Sequence, residues 1–418
     1  MAGWTLALCA CSQQAEQEPK ITGESEVMQQ THFAQDLAFL KQHTDIVELR
    51  DGSSVVAVAP AYQGRVMTSS YDAVNGPSFG WINRPVIEQG LLPDEERKGT
   101  LQEHIYVFGG EERFWLGPEG GQFSIFFKPG LEFDFDEWHT PAPIDTEAFA
   151  IASQTETEVV FEHEAEFQNW SGTVLQVGIT RTVRLLDREA IEQRLGVALE
   201  EGIELVAYET ENTIRNLGEV AWTKETGMLS IWILGMYPPA PHTKVVIPFK
   251  AGSVDELGPQ VNDTYFGKVP PEYLQVEDDL LFFKGDGTYR SKIGISPQRS
   301  KGVAGSYDPD SGVLNIVTCS EPKENPGYVN SMWELQEDPF SGDVINSYND
   351  GPAEPGADPL GPFYELETSS PAADLEPGES LTHTQTTIHL KGEAAAIDRI
   401  SSQILGAGLD EIDSALEK

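Results

Sequence analysis

Cysteine is scarce in this chain, since three of the 418 residues are cysteines. Cys9 and Cys11 stand in the first apolar segment, which leaves Cys319 alone in the remainder of the sequence. A single cysteine cannot close an internal disulfide, and cysteine-ligated zinc sites need several thiolates at short spacing. The scarcity therefore excludes a disulfide scaffold and a cysteine metal site in the body of the protein.

Basic residues are also few. The sequence has 27 Lys and Arg against 68 Asp and Glu, which gives a formal net charge of −41. The acidic residues are spread along the chain rather than collected in a tail. Because such a surface repels phosphate backbones, we expect no nucleic-acid partner.

Several catalytic motifs are missing from the sequence. There is no P-loop, no glycine-rich dinucleotide turn after a strand, no HExxH helix and no nucleophile elbow. These absences argue against nucleotide-dependent enzymes, zinc proteases and the common serine hydrolases. No cofactor is predicted.

The N-terminal segment resembles an export signal. Residues 1–11, MAGWTLALCAC, are a short apolar run that ends like a lipobox, in which Cys11 would be lipidated. Residues 12–30 are polar and read as a flexible tether. The segment lacks the usual basic residues before the apolar run, and chance cysteines in a frayed terminus are the alternative. The pattern predicts a bacterial lipoprotein of the periplasm or outer membrane.

From residue 31 onward the pattern is mostly that of β-strands. Apolar residues at helical spacing predict a short helix within Thr31–Gln42, and Asp187–Arg194 and Ala394–Ile404 are further helical candidates. Twelve other segments carry β-branched or aromatic alternation between turn residues. They are Ile46–Leu49, Ser54–Pro60, Gly64–Ser70, Gln122–Lys128, Glu158–Glu164, Val174–Leu186, Ile203–Asn216, Thr243–Lys250, Leu280–Lys284, Val313–Thr318, Phe363–Thr368 and Leu381–Leu390.

So many strands without alternating helices favour an antiparallel architecture over a parallel α/β fold. We predict an all-β fold, a large antiparallel β-sandwich with few short helices, with a barrel as the alternative. Residues 31–418 are expected to form a single domain. The proline- and glycine-rich stretch Asn349–Gly361 is predicted to be a loop.

One segment combines residue types that suit a sugar site. Residues 108–122, FGGEERFWLGPEGGQ, place Arg113, Trp115 and three carboxylates, among them Glu119, between two glycine pairs. Arginine donates bidentate hydrogen bonds and tryptophan offers a flat apolar face, and on a strand residues two apart share a face. The alternative is a strand pair with glycine turns and a core tryptophan.

A second candidate is the pair Glu365 and Glu367. On a strand these carboxylates project from one face, while Tyr364 and Leu366 pack on the other. Two adjacent carboxylates raise one another's pKa, which suits a general base. A solvated strand face in an acidic protein is the alternative.

Two further segments carry weaker signals. Residues 333–351 gather acidic and amide side chains that would suit Ca²⁺ or sugar hydroxyls, but they lack the spacing of an EF-hand and often form plain turns. His139 stands beside Trp138 in a proline-rich loop, and an imidazole next to an aromatic ring suits a sugar subsite. The sequence leaves open whether residues 333–351 hold a structural Ca²⁺.

In order along the chain, the motifs resemble those of the galactose mutarotase-like, or aldose epimerase-like, superfamily. Residues 55–71, VVAVAPAYQGRVMTSSY, resemble its N-terminal hairpin. The family's next conserved elements have counterparts here in Asn83, Arg84, His104, the pair Gly109-Gly110, and Trp115.

The C-terminal half continues the resemblance. Residues 208–237 resemble the strand that leads to the family's central catalytic position, which here reads Leu229-Ser230-Ile231-Trp232 and lacks the usual histidine. Residues 363–380, FYELETSSPAADLEPGES, resemble the strand that carries the epimerase glutamate base. Four residues also separate His104 from the double glycine that it directly precedes in epimerases. The closer resemblance is therefore to uncharacterised exported bacterial relatives.

The resemblance implies a cleft in one sheet that binds a carbohydrate. It assigns catalytic roles to Glu365, Glu367 and His104. Together with the residue patterns above, it predicts substrate contacts through Asn83, Arg84, Arg113, Trp115, Glu119, His139 and Trp232.

Three functional hypotheses follow from these residues. The first is an epimerase-like or lyase-like enzyme on oligosaccharides, in which Trp115 stacks on a pyranose and Arg113 and Arg84 hold the substrate. Arginine in the site favours uronic acids or sulfated sugars. The second is a non-catalytic glycan-binding lipoprotein whose membrane contact is the lipid anchor, and the third is a structural sandwich with a vestigial cleft.

Overall fold

A computed structural model describes residues 32–353 and 356–417. Within these ranges the chain forms twenty β-strands and eight α-helices. The strands are β1 Val47–Asp51, β2 Ser54–Ala59, β3 Arg65–Ser70, β4 Trp81–Ile82, β5 Gly109–Gly110, β6 Glu112–Gly117, β7 Ala150–Gln154, β8 Glu158–Gln168, β9 Val174–Leu185, β10 Glu204–Asn216, β11 Ser230–Tyr237, β12 Lys244–Pro248, β13 Leu274–Val276, β14 Leu280–Lys284, β15 Ser291–Ile295, β16 Val303–Asp308, β17 Val313–Cys319, β18 Ile345–Asn349, β19 Tyr364–Ser369 and β20 Ser380–Lys391. The helices are α1 Phe33–His43, α2 Arg84–Gln89, α3 Asp94–Arg97, α4 Leu101–His104, α5 Arg188–Leu195, α6 Val254–Leu257, α7 Ala394–Ile404 and α8 Leu409–Ser414.

Two large antiparallel sheets pack face to face. The first sheet has eight strands in the order β1-β2-β3-β6-β11-β19-β18-β15, and the second has ten in the order β13-β14-β12-β16-β17-β20-β10-β9-β8-β7. β4 and β5 form a separate short pair. The predicted large antiparallel β-sandwich with few short helices is therefore confirmed. No helix among the residues described is long and apolar enough to cross a membrane.

Most predicted elements are present. The helix expected within Thr31–Gln42 is α1, the candidate at Asp187–Arg194 is α5 shifted by one residue, and Ala394–Ile404 is α7. Eleven of the twelve predicted strand segments overlap observed strands. The predicted loop Asn349–Gly361 is irregular beyond the end of β18 over its described residues.

The strand predicted at Gln122–Lys128 is wrong. This segment forms turns, and the hydroxyl of Ser124 accepts a hydrogen bond from the backbone N–H of Phe126 at 3.0 Å. The Phe126 ring stacks on Trp138 and lies 5.2 Å from Trp115, centroid to centroid. The aromatic alternation therefore reflects packing of a loop against other rings, not pairing with a neighbouring strand.

The space between the sheets is apolar but contains buried carboxyl groups, each with a polar or charged partner. Arg181 on β9 donates to Glu112 at 2.9 Å, and both side chains are fully buried. Glu111 lies 2.7 Å from His389 on β20, also fully buried. Buried carboxylates need such partners, because an unpaired charge away from water is very costly. Two of the three carboxylates in residues 108–122 thus belong to the core between the sheets.

Candidate functional site

The outer face of the first sheet forms the floor of a cavity. Since side chains alternate along a strand, β6 directs Glu112 and Phe114 into the core and Arg113 and Trp115 to the outer face. Strand register then aligns side chains across the sheet. Arg113 pairs with Leu234, which pairs with Glu367, and Trp115 pairs with Trp232. The motif of residues 108–122 and the glutamate strand β19 therefore reach the same surface.

The cavity has a volume of about 570 Å³ and largely aromatic walls. One wall, named here the aromatic wall, consists of Phe135, Trp138 and Trp333, with the two indole rings stacked at 5.9 Å. Phe266 and Tyr348 line another side. This size and mixture of apolar walls with a few polar groups is typical of small-molecule sites.

Glu365 lies on the cavity floor and is 4% exposed. Its Oε1 lies 3.4 Å from a guanidinium nitrogen of Arg113, a long ion pair. Burial is the largest cause of a raised pKa of the Glu365 carboxyl, Arg113 opposes the shift and the charge of Glu367 adds to it, and together they place the pKa at about 8. Glu365 is consequently a carboxyl that exchanges its proton near neutral pH.

Glu367 has a different environment, although it lies only two residues away. Its Oε2 accepts hydrogen bonds from the Lys292 ammonium and from the Trp232 indole N–H, each at 2.8 Å. Its side chain is fully buried and is not among the residues that line the cavity. Its Oε1 has no hydrogen-bond partner among the residues described. Glu367 thus holds Lys292 and Trp232 in place beneath the floor, whereas Glu365 faces the cavity.

Glu119 is a second carboxyl that lines the cavity. Burial raises the pKa of Glu119, Lys292 opposes this, and Glu367 adds to it. The side chain of Trp333 is a hydrogen-bond partner of this carboxyl. Glu119, Glu365 and Lys292 therefore share one cavity, and the two carboxyls both favour the neutral form more than a free glutamate does.

A small polar space of about 20 Å³ lies beside Lys292 and Trp232. Here the Tyr265 hydroxyl donates to Asp343 at 2.6 Å and accepts from Asn346 at 3.0 Å. These residues come partly from the acidic segment 333–351. No group of three or more metal-ligating side chains is found in the ranges 32–353 and 356–417. Hydrogen bonds with Tyr265 therefore account for the side chains of Asp343 and Asn346 in the acidic segment.

Trp115 lines the cavity but is 3% exposed. The Arg113 guanidinium lies 3.9 Å above its ring, and its indole N–H donates to the backbone oxygen of Ile144 at 3.1 Å. A sugar ring would have to displace Arg113 to stack on that face. The structure does not favour the stacking role predicted for Trp115, which remains untested, and it offers the aromatic wall instead.

Asn83 and Arg84 are not among the residues that line the cavity. The Asn83 side chain accepts a hydrogen bond from Val86 and caps α2, and Arg84 pairs with Asp36 and stacks on Phe39 of α1. Asn83 thus stabilises the start of α2, and Arg84 connects α2 to α1. The contacts of both residues with a sugar stay predictions.

His104 and His139 are neighbours close to the aromatic wall. Their ring centroids are 4.8 Å apart, and His104 Nδ1 is hydrogen-bonded to the backbone oxygen of Trp138 at 2.8 Å. His139 Nδ1 lies 3.2 Å from the backbone oxygen of Glu137. Neither ring lines the cavity. His104 thus contacts the aromatic wall at Phe135 without lining the cavity, and its catalytic role stays a prediction.

The cavity is also lined by three residues that the sequence analysis does not predict as site residues. They are Lys292, Trp333 and Arg290. Lys292 stands in the sequence SKIGI, where a lysine alternates with apolar residues on a strand. That pattern signals a charged side chain on one face of an otherwise buried strand. Trp333 has no such signal, because it lies in an irregular segment whose position depends on the fold.

A family model matches residues 31–416 and is described as a family of unknown function, DUF6786. The chain belongs to this family. The search of curated proteins found no match.

Several solved structures are similar over most of the chain. One is from Escherichia coli K12, is assigned only provisionally as an aldose 1-epimerase, and has 12% identity, covering 84% of this chain and 99% of that chain, with a TM-score of 0.49. A galactose mutarotase-like protein from Lactobacillus casei has 10% identity, with 83% and 100% covered and a TM-score of 0.44. A GalM/aldose epimerase homologue from C. elegans has 10% identity, with 84% and 100% covered and a TM-score of 0.43. At these identities and TM-scores, the similarities assign no activity to this chain.

Proposed function

We propose that this protein binds a carbohydrate in the cavity and transfers protons to and from it, as an epimerase-like or lyase-like enzyme does. The observation that carries the proposal is the Glu365 carboxyl. It lies on the floor of an aromatic-walled cavity, and burial raises its pKa to about 8. General acids and bases work best when their pKa lies near the working pH.

The walls and the floor suit different parts of a saccharide. Aromatic rings pack against the apolar C–H face of a pyranose, and Trp138 and Trp333 form such a wall. Charged groups on the floor can hydrogen-bond the hydroxyl groups. Two buried donors at the cavity, Arg113 Nε and Trp138 Nε1, have no partner within the described ranges and are suited to a ligand oxygen.

Proton transfer at a sugar needs an acid and a base in the same cavity. Interconversion of anomers, for example, removes the proton of the anomeric hydroxyl and protonates the ring oxygen. Glu365 and Glu119 both line the cavity and have raised pKa values, and Lys292 lies between the cavity and Glu367. We assign proton transfer to Glu365 with Glu119 as its partner, and positioning of Lys292 to Glu367.

The test separates binding from turnover. A glycan array identifies saccharides that bind the wild type, and calorimetry then measures their affinity for Glu365→Gln, Glu119→Gln and the exposed control Glu166→Gln. NMR of each bound saccharide follows anomer exchange, and ultraviolet absorbance follows unsaturated products of elimination. We expect turnover to fall about a hundredfold or more in the two cavity variants with affinity nearly unchanged.

The alternative is a glycan-binding protein without turnover, which the aromatic wall alone would support. Saccharide binding by the wild type, with no reaction by either assay and no effect of Glu365→Gln, would favour this alternative. Absence of any saccharide ligand would contradict both functions.

We also propose that the protein is an exported lipoprotein anchored at Cys11, which lies outside the described residues. The support is the lipobox-like sequence LCAC alone. In a bacterial host, Cys11→Ala should move the protein from the membrane fraction to the soluble fraction. Unchanged membrane association of this variant would contradict the anchor.

A further inference from the structure

Arg290 directly precedes β15 and lines the cavity. Its guanidinium carbon lies 4.1 Å from the centroid of the Phe266 ring, and Phe266 is 46% exposed. Among the residues described, its guanidinium makes no ion pair or hydrogen bond. Its charge acts on Asp350, but the oxygens of Asp350 already accept from the Tyr348 hydroxyl and from Gly361 N–H. A cation with unused donors is therefore present in the cavity.

The other candidate cations already contact carboxyl groups of the protein. Arg113 contacts Glu365, and Lys292 contacts Glu367. Arg84, which sequence reasoning selected to hold a substrate, pairs with Asp36 away from the cavity. An acidic substituent of a ligand would have to compete with a protein carboxyl group for each of these three cations. Arg290 makes no direct ion pair among the described residues, and the oxygens of the nearby Asp350 already accept hydrogen bonds from Tyr348 and Gly361.

We propose that Arg290 determines specificity for acidic saccharides by binding a carboxylate or sulfate group. Contact with Phe266 restricts the guanidinium and leaves its edges to donate two parallel hydrogen bonds to an oxyanion. This inference rests on the proposed function and adds the substrate class. The excess of acidic residues in the whole chain makes a cation without a carboxylate partner noteworthy.

The experiment compares matched acidic and neutral probes. The affinity of the protein is measured for digalacturonate, dimannuronate and diglucuronate and is compared with its affinity for their carboxyl-reduced forms. A sulfated galactose disaccharide is compared with its desulfated form in the same way. Calorimetry or tryptophan fluorescence reports binding, since at least four of the eight tryptophans line the cavity. At least one acidic probe should bind the wild type about ten- to a hundredfold more tightly than its neutral form. The pair that shows this preference identifies the carboxylate or the sulfate.

Arg290 variants then locate the preference. Arg290→Gln should reduce the acidic-to-neutral affinity ratio to about one, and Arg290→Lys, which keeps the charge but loses the planar fork, should give an intermediate ratio. Binding of the neutral probe should be the same in all three proteins. Arg399→Gln is the matched control, because Arg399 lies on α7 and pairs with Glu200.

The outcomes distinguish this inference from the function on which it rests. Equal affinity for acidic and neutral probes, or an acidic preference that survives in Arg290→Gln, would overturn the role of Arg290 and leave saccharide binding intact. Failure of every acidic and neutral saccharide to bind would overturn the inference and the proposed function together.

Discussion

At the scale of single residues, burial separates two glutamates that the sequence presents as equivalent. Alternation along β19 places Glu365 and Glu367 on one face, as predicted, with the Tyr364 hydroxyl on the other side bonded to Ser306. Which carboxylate faces the cavity depends on Lys292 and on Trp232 from neighbouring strands. No local pattern contains that information, because those contacts form only when distant strands pair.

The raised pKa of Glu365 makes folding stability depend on pH. Its pKa is about 8 in the folded protein against 4.5 for an ordinary glutamate, so the folded state binds more protons between these values. Its stabilising contribution is complete below an ordinary glutamate pKa and is lost as pH rises through about 8. The free energy of unfolding should therefore decrease from about pH 5 to about pH 9, and less so in Glu365→Gln.

Chemical denaturation across this pH range tests the prediction. Other buried acids contribute to the wild-type slope, among them Asp145 with a pKa raised to about 7 by burial, so the difference between wild type and Glu365→Gln is the quantity to follow. Glu166→Gln should behave like the wild type. Identical pH profiles for wild type and Glu365→Gln would contradict an elevated pKa.

Trp115 and Trp333 should respond differently to truncation. Trp115 is almost fully buried and packs on Arg113, Phe126 and Trp232, so Trp115→Ala should lower the free energy of unfolding by about 3–5 kcal/mol. Trp333 is only half-buried, so Trp333→Ala should cost less stability and weaken saccharide binding instead. Denaturant titrations and calorimetry measure the two effects. A stable Trp115→Ala protein with normal ligand affinity would show that this packing is misjudged.

At the scale of elements, the sequence predicts the long alternating strands and some short apolar runs such as β12, but it misses β11. Apolar and polar residues alternate along four long strands because part of one face is exposed to solvent. These strands are β8, β9, β10 and β20. β11, SIWILGMY, is buried on both faces and shows no alternation to detect. The cavity floor includes β11, whose strand structure the periodicity of the sequence does not reveal.

The cavity walls come from irregular segments, which periodicity cannot place. Phe135, Trp138 and Trp333 lie outside strands, and their positions depend on ring packing. The same cause explains the wrong strand at Gln122–Lys128. A sequence thus shows that aromatic residues are plentiful but not which rings meet around a ligand.

Gly361 controls how closely the chain after β18 packs beside the cavity. A Cβ atom at this position would lie 2.3 Å from ring carbons of Trp81, and Trp81 stacks on Phe363, which lines the cavity. Gly361→Ala should therefore displace this wall, lowering the melting temperature and weakening saccharide binding. At Gly218 the nearest atom would be 3.3 Å away, so Gly218→Ala serves as control. Equal behaviour of both variants in thermal melts and titrations would contradict this role.

At the scale of the whole molecule, the net charge of −41 should limit stability at low salt. Like charges repel in the compact state, and salt shortens the range of that repulsion to about 10 Å at 0.1 M. The melting temperature should rise between about 10 mM and about 500 mM NaCl. Tetramethylammonium chloride should give the same rise if screening is the cause. A melting temperature that is independent of salt would contradict a destabilising effect of this repulsion.

The central claim is that the cavity on the outer face of the first sheet is a saccharide site with Glu365 on its floor. The most direct measurement is a crystal structure of the protein with the tightest-binding saccharide from the array. We predict that a sugar ring lies between the aromatic wall and Glu365, within hydrogen-bond distance of the carboxyl. A saccharide bound elsewhere, with the cavity free of it, would contradict the claim.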